Sequence, residues 1–249
     1  MSKKFTWNEN WKFTKDAVTV SDKTTSAGNW ETLDLPHTWN GDDGQDGGSD
    51  YYRGTCYYAK NLSKAEVAEG KEVYIEFEAA NSSAELFVNG ESVAKHDGGY
   101  STWRANITPY LKDENEIVVA VDNAPNDYVY PQNADFTFYG GLYRKVSLIL
   151  VDETRFDLDY YGSPAIKVTP EVTGDDAKIT TEVYLTNAGS TEELVFTITD
   201  GDTVVDTVTV SADKTEVEQT ITNVHLWNGR KDPHLYTMHA ELKKNGTVV

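Results

Sequence analysis

The side chains best suited to chemistry lie in residues 133–149, where Asp135 is the only carboxylate. A carboxylate accepts directional hydrogen bonds that its charge strengthens, so Asp135 is suited to binding the hydroxyl groups of a ligand. The alternative is that its side chain caps the backbone of its own loop. The segment around it is aromatic, with Phe136, Phe138, Tyr139 and Tyr143. Asp135 is therefore the first candidate for a binding residue.

Two features of the same segment predict how Asp135 is held. Residues 146–151 are apolar at almost every position, which is typical of a strand buried on both faces. Gly140 and Gly141 precede this strand, and a double glycine lets the backbone pass close to another group. We therefore expect an aromatic loop that is anchored by a buried strand, a common position for binding groups.

Other residues capable of chemistry are less convincing. The loop of residues 42–50 has four aspartates among glycines, but it lacks the spacing and the final glutamate of an EF-hand calcium loop. We interpret it as a solvated loop at the rim of the site. The five histidines have no metal-ligand spacing, and a single cysteine, Cys56, excludes both a disulfide within the chain and a cysteine-based zinc site. We expect no metal site in this chain. Arg144 is expected to pair with a buried carboxylate or to stack on a ring.

The elements that position these residues are predicted to be almost entirely strands. Alternating or apolar runs cover residues 73–78, 85–88, 92–95, 116–122 and 145–151. Asn89-Gly90 between two of these runs predicts a hairpin with a type I′ turn. The only helix signal is residues 63–69, two turns with Ser63 as the N-cap and Gly70 at the end. Many short strands with few helices favour a sandwich or barrel.

The composition changes near residue 152, which predicts two domains, 1–152 and 153–249. Five of the six tryptophans precede this point. Plain alternating sequence follows it, at residues 177–185, 194–199, 203–210, 217–224 and 236–242, and predicts an immunoglobulin-like sandwich. The chain stops three residues after the Asn245-Gly246 turn, so we expect it to be a piece of a longer protein.

The charge and hydropathy patterns exclude several classes of partner. The net charge of −19 repels nucleic acid and anionic membranes. No apolar run approaches the ~20 residues of a membrane span, and the N-terminus lacks the apolar core of a signal peptide. We expect a soluble cytoplasmic protein. An aromatic content of 12% suits carbohydrate binding but equally suits a β-sheet core.

The segment Asp135-Phe-Thr-Phe-Tyr-Gly-Gly-Leu-Tyr-Arg-Lys-Val-Ser-Leu148 resembles the signature that closes the N-terminal sugar-binding domain of glycoside hydrolase family 2. Together with residues 130–134, it most resembles the β-galactosidase-like members. Further segments resemble the family in chain order, at residues 11–13, 35–40, 42–54, 87–90, 96–100, 106–108, 122–123, 226–227 and 233–236. The resemblance therefore covers nearly the whole chain.

The resemblance implies an all-β chain, in which a jelly-roll domain is followed by an immunoglobulin-like sandwich, from an enzyme that hydrolyses O-glycosidic bonds. The family's (β/α)₈ barrel carries two catalytic glutamates, which a retaining mechanism needs about 5–5.5 Å apart. No alternation of strands and helices is present here, so we expect no catalytic residues and no hydrolysis by this chain alone. The expected substrate, a β-galactoside or a related glycoside, would be bound together with the missing barrel.

The resemblance also assigns roles to two residues. Asp135 corresponds to the aspartate that contacts the galactosyl hydroxyls and helps to hold a sodium ion, so sodium or magnesium is expected in the full-length enzyme. Asn40 corresponds to an asparagine placed against the sugar, although an asparagine before Gly41 also suits a plain turn. A free-standing carbohydrate-binding module and a structural pair of sandwiches remain open as alternatives. The sequence also leaves open the sugar and a homo-oligomeric state.

Overall fold

The computed structural model describes residues 3–48, 50–67 and 70–249. The chain divides into two compact units, with the division between Val151 and Asp152. This lies one residue before the boundary that the composition predicts. Almost all regular structure is strand, so the all-β prediction is confirmed. Among the described residues, no helix has the length and apolar character needed to cross a membrane.

The first unit contains ten described strands. They are β1 (Lys3–Thr6), β2 (Trp11–Thr14), β3 (Glu31–Leu33), β4 (Thr55–Ser63), β5 (Glu72–Phe77), β6 (Ser83–Val88), β7 (Glu91–Asp97), β8 (Trp103–Asn106), β9 (Glu114–Asp122) and β10 (Val146–Val151). Short 3₁₀ helices lie at Thr24–Ser26, Lys64–Glu66 and Thr108–Tyr110. The strands form a six-stranded sheet, β3-β2-β4-β9-β6-β7, and a four-stranded sheet, β1-β10-β5-β8.

The two sheets enclose a single hydrophobic core. Side chains of the larger sheet, such as Trp11 and Tyr58, meet Phe77 and Leu148 of the smaller sheet, and all four are at most 2% exposed. All six residues of β10 are buried, and it pairs with β1 on one side and β5 on the other. The predicted doubly buried strand is therefore confirmed. It anchors the loop that precedes it.

Two local predictions in this unit have different outcomes. Asn89 and Gly90 both adopt positive φ angles, 52° and 86°, and join β6 to β7 as the hairpin prediction requires. The prediction of a two-turn helix over residues 63–69 is wrong, because the described part of this segment contains a single 3₁₀ turn, Lys64–Glu66. Ser63 does cap it, and Glu66 completes a capping box. Val67 is already extended and packs on the core; residues 68 and 69 lie outside the described chain.

The second unit contains nine described strands. They are β11 (Arg155–Phe156), β12 (Ile166–Thr173), β13 (Asp176–Val183), β14 (Leu185–Thr186), β15 (Glu192–Asp200), β16 (Thr203–Ser211), β17 (Glu216–Ile221), β18 (Thr237–Lys244) and β19 (Thr247–Val248). The sheets are β12-β13-β17 and β16-β15-β18-β19, with a separate pair, β11-β14. Leu194, Phe196 and Leu242 lie in the core between the main sheets. This is the predicted immunoglobulin-like sandwich.

Strand β12 is the longest strand of the second unit that the sequence pattern misses. It contains Pro170, which cannot donate a ladder hydrogen bond and therefore argues against a strand. The proline is tolerated because β12 is an edge strand that pairs with β13 alone. At the other end of the unit, Asn245 and Gly246 adopt positive φ angles and join β18 to β19, as predicted.

Candidate sugar site

Asp135 lies in residues 123–145, the loop between β9 and β10. Its side chain is exposed, and it makes no hydrogen bond or ion pair within the part of the chain that the structure describes. The alternative that Asp135 caps its own loop is therefore not seen among these residues. The carboxylate is free to accept hydrogen bonds from outside the chain.

Four aromatic side chains form a column beside Asp135. Phe136 packs on Phe138 at 4.9 Å between ring centroids, Phe138 on Tyr130 at 6.1 Å, and Tyr130 on Tyr100 at 5.1 Å. Phe138 is only 4% exposed, whereas Phe136 and Tyr100 at the two ends are 63% and 56% exposed. This aromatic column therefore presents an apolar ring at each end, and Asp135 directly precedes one of these rings in sequence.

Arg53 fastens the first half of the loop. Its guanidinium lies 5.6 Å from the ring centroid of Phe138, a cation–π distance. Nε donates to the carbonyl of Asn123 at 3.0 Å, and the guanidinium also donates to the side chain of Gln132. Gln132 in turn donates to Ser82 at 2.8 Å. One arginine therefore ties the beginning of the loop to the residues just before Asp135.

Asn81 fastens the second half. Its backbone N–H donates to the carbonyl of Gly141 at 3.1 Å, and Nδ2 donates to the carbonyl of Tyr139 at 2.5 Å. Its Oδ1 accepts the hydroxyl of Tyr130 at 2.6 Å. Burial is the main cause that raises the pKa of Tyr130, and a hydrogen bond with Tyr100 raises it further. The hydroxyl of Tyr130 is therefore a neutral donor at physiological pH. The aromatic column is thereby joined to the backbone of the loop.

The double glycine allows the close approach that the sequence predicts. A Cβ on Gly140 would lie 2.0 Å from Cζ2 of Trp39, so only glycine fits against this buried indole. Gly141 has a φ of +129°, and a Cβ there would lie 2.5 Å from the carbonyl of His37. The loop backbone passes directly over residues 37–39, where Thr38 Oγ1 donates to the carbonyl of Gly140 at 2.8 Å.

Asn40, the second predicted sugar ligand, lies in the interior and is fully buried. Its Oδ1 accepts the N–H of Gly140 at 2.8 Å and Nδ2 of Asn123 at 3.1 Å. Its Nδ2 donates to the carbonyl of Tyr52 at 2.9 Å and to Asp43 at 3.1 Å. In this structure the amide joins three loops, and its donor and acceptor are both occupied. A contact between Asn40 and a sugar stays a prediction.

The flanking charged residues have local structural roles. The guanidinium of Arg144 lies 5.4 Å from the ring centroid of Tyr143 and donates to the carbonyl of Tyr100 at 3.0 Å. Of the two predicted roles, stacking on a ring is the one observed. In the acidic loop, Asp43 accepts the N–H of Tyr52 at 3.0 Å, which closes the loop on itself.

The described residues do not assemble a cation site. No group of three or more His, Cys, Asp or Glu side chains among them could hold a metal ion. Asp135 supplies a single carboxylate, whereas a hard cation takes several oxygen ligands. The role of Asp135 toward sodium therefore stays a prediction.

Sequence reasoning missed the residues that fix the loop. Arg53, Asn81, Asn123 and Tyr100 act over long sequence separations; the bond from Arg53 to Gln132, for example, spans 79 residues. The sequence contains only a weak signal for these residues. Three of the four lie in segments that resemble the family, but their spacing does not indicate that they share a site.

The architecture and the site together define a class: two β-sandwiches, the first of which displays an acidic, aromatic loop suited to a sugar. Comparison with known protein families gives the same class. Residues 45–152 match the glycosyl hydrolases family 2 sugar binding domain, and residues 164–249 match a second domain of glycosyl hydrolases family 2. The chain belongs to glycoside hydrolase family 2.

Individual relatives agree with this assignment. A β-glucuronidase of Bacteroides fragilis is 34% identical over 97% of this chain and 36% of its own length. A β-galactosidase of Thermoanaerobacter pseudethanolicus is 32% identical over 62% of this chain and 23% of its own length. The crystal structure of an FMN-binding β-glucuronidase from Facaelibacterium prausnitzii L2-6 matches with a TM-score of 0.87 at 37% identity. The match covers all of this chain and 38% of that one. The chain thus spans between 23% and 38% of the length of these three relatives.

Proposed function

We propose that this chain is the non-catalytic, sugar-positioning portion of a family 2 β-glycosidase. In this proposal the chain does not hydrolyse glycosides alone, and it completes the sugar site of a catalytic domain. The relatives that match it are named β-glucuronidases and β-galactosidases, and the chain covers about a third of the first of them. The all-β fold supports the proposal, because the described strands contain no βα repeat from which a barrel could be built.

The observation that carries the proposal is the contrast between Asp135 and its surroundings. The loop around it is fastened by Arg53, Asn81 and Asn40, whose polar groups are occupied. Asp135, by contrast, projects into solvent without a partner among the described residues. A charged acceptor on a preorganised loop is suited to binding and orienting a ligand that approaches from outside.

The proposed substrate is a β-galactoside or a β-glucuronide. Both sugars offer ring hydroxyls that donate hydrogen bonds, and a carboxylate can accept two of them. The sequence signature favours the galactoside, whereas two curated relatives that match 97% of this chain are named β-glucuronidase and putative β-glucuronidase. In either case Asp135 orients the terminal sugar and takes no part in breaking the bond.

The test is the Asp135→Ala variant of the full-length enzyme, assayed with p-nitrophenyl β-galactoside and β-glucuronide. Loss of a charged hydrogen bond of about 1.5–3 kcal/mol predicts a fall in kcat/KM of about 10- to 150-fold on the true substrate. Asp127→Ala is the matched control, because Asp127 is an exposed aspartate of the same loop. Equal kcat/KM for the Asp135→Ala and parent enzymes would refute the proposal.

Sugar binding by the isolated chain distinguishes this proposal from the alternative of a free-standing carbohydrate-binding module. The exposed ends of the aromatic column would also suit such a module. Titration calorimetry of residues 1–249 with galactose, lactose and glucuronate is expected to show no binding at millimolar sugar. Clear binding heats that are abolished by substitution of Phe136 or Tyr100 would favour the module instead.

A further inference from the structure

The second unit contains a close pair of tyrosine side chains that the proposed sugar site does not use. The rings of Tyr160 and Tyr184 stack at 3.7 Å between centroids and lie within 15° of parallel. Their hydroxyls are joined by a hydrogen bond, so the two phenol groups point the same way. This pair is closer than Tyr100 and Tyr130 at 5.1 Å, or Tyr160 and Tyr161 at 5.2 Å.

The backbone holds the two rings against each other. Tyr184 lies between β13 and β14, and Tyr160 lies in the segment between β11 and β12. Both ends of that segment bond to Tyr184: the N–H of Asp157 donates to its carbonyl, and its own N–H donates to the carbonyl of Ala165, each at 2.9 Å. Ser163 fixes the turn, because its N–H and its hydroxyl both donate to the carbonyl of Tyr160, at 2.9 and 2.6 Å. The stack is therefore positioned by the fold of the segment.

The pair is accessible to an oxidant from solvent. Tyr160 is exposed and Tyr184 is half-buried. Tyr161 contacts the ring of Tyr160 edge-on and is 89% exposed. Its φ of +51° is uncommon for a residue with a side chain, and it directs the ring away from the sandwich into solvent. Tyr161 is therefore a ring at which a one-electron oxidant can act and from which the oxidation can pass to Tyr160.

We propose that Tyr160 and Tyr184 form an oxidative cross-linking site, at which a haem peroxidase with hydrogen peroxide joins the two rings into a dityrosine. Each phenol gives up one electron and its hydroxyl proton, and the two radicals join by a carbon–carbon bond between positions ortho to the hydroxyls. The hydrogens on these carbons leave as protons while the oxygens regain theirs, so the pair loses two electrons and two protons in all. Hydrogen peroxide takes up both and becomes two molecules of water.

The geometry favours coupling within the pair over coupling between chains. Because the rings are nearly parallel and their hydroxyls share a hydrogen bond, the ortho carbons of one ring lie beside those of the other at about the stacking distance. Groups oriented in this way react as if at very high concentration, with effective molarities of about 10⁵ M or more. The product ties the segment before β12 to the end of β13, which restricts the unfolded chain in the way that a disulfide does.

Peptide mapping of the 249-residue chain, after treatment with a haem peroxidase and hydrogen peroxide, tests the proposal. Trypsin is expected to release residues 156–167 joined to residues 179–214, at a mass two hydrogens below the sum of the two peptides. We expect this product in about tenfold or greater excess over any product that joins Tyr100 to Tyr130. Its yield should not change when the protein is diluted, because the bond forms within one chain.

Phenylalanine variants make the test specific to the pair. Tyr160→Phe and Tyr184→Phe each keep a ring in the stack but remove a phenol, so each should abolish the product while the unit stays folded. Tyr161→Phe is the matched control, since residue 161 lies in the same tryptic peptide as Tyr160, and this variant should still form the cross-link. The proposal is wrong if the parent chain yields no such product, if the product persists in Tyr160→Phe, or if cross-links form only between chains.

Discussion

Asn40→Ala distinguishes a residue that holds the site together from one that only contacts a sugar. The substitution removes the acceptor of the Gly140 N–H at 2.8 Å and the donor to the Tyr52 carbonyl at 2.9 Å. Asn123 keeps a second acceptor, the carbonyl of Phe138 at 3.0 Å, so it is not left unpaired. The Tyr52 carbonyl keeps a longer bond from Trp39 Nε1 at 3.4 Å, so only the Gly140 N–H loses its partner entirely. With about 1–3 kcal/mol for that N–H and about 1 kcal/mol for the weakened carbonyl, we expect the free energy of unfolding of the first unit to fall by about 2–4 kcal/mol.

Urea unfolding of the 249-residue chain, followed by tryptophan fluorescence, is the appropriate measurement. Five of the six tryptophans lie in the first unit, so this signal reports on the unit that contains Asn40. With a slope of about 2 kcal/mol per molar urea, the midpoint should fall by about 1–2 M. Asn133→Ala, on the exposed part of the Asp135 loop, is the control and should stay within about 0.5 kcal/mol of the parent.

The result also separates the two roles of the Asn40 amide. Asn40→Asp keeps an oxygen acceptor but loses the donor to Tyr52 and places a second carboxylate beside Asp43. It should therefore be destabilised as well, and less so at a pH where one carboxyl is protonated. An unchanged midpoint for Asn40→Ala would refute the network described above. Contact with a sugar would then be the reason for an asparagine at this position.

Two further predictions concern the frame that supports the loop. Gly140→Ala should destabilise the first unit by about 3 kcal/mol or more in the same urea experiment, because its Cβ would lie 2.0 Å from a buried indole. Gly41→Ala, in the same unit, is the control and should be nearly neutral, because its Cβ would come no closer than 3.8 Å to a neighbouring atom. Burial raises the pKa of Glu76, but hydrogen bonds from Lys4 and Arg104 outweigh burial and hold the pKa below its usual range. The resulting stability is present above about pH 4.5 and is lost as the pH falls through the lowered pKa. Glu76→Gln should therefore cost about 1–3 kcal/mol at pH 7, and the difference from the parent should shrink below about pH 4, measured by urea unfolding across pH.

Features encoded within a few residues could be predicted from the sequence. The Asn89-Gly90 turn depends on two residues that tolerate positive φ, and β10 depends on a run that is apolar at every position except Ser147. Both therefore follow from local chemistry. The helix over residues 63–69 shows the limit of such reasoning, because its cap is present but Val67 packs on the core in an extended conformation. Tertiary packing overrode a weak local preference.

The arrangement of the site could not be predicted in the same way. Asn40 contacts Gly140 across 100 residues, and Arg53 contacts Gln132 across 79. Such pairs depend on which loops the sheet topology brings to one end of the sandwich, and residue type alone carries no signal for them. Asp135 could be predicted as a binding residue because it lies in a loop directly before a buried strand. The buried state of Asn40 was not foreseen.

The number of bonds that fix the loop has a consequence for how the site would act. A loop of 23 residues would lose much conformational entropy if it were ordered only when substrate arrives. Here that cost is met during folding, because Arg53, Asn81 and Asn40 each hold a different part of the loop. Asp135 would therefore be in position before a sugar binds, and its effect should fall on binding and orientation together. For the same reason, Asn40→Ala should weaken catalysis in the full-length enzyme even with no sugar contact, whereas Asp135→Ala should do so without lowering stability.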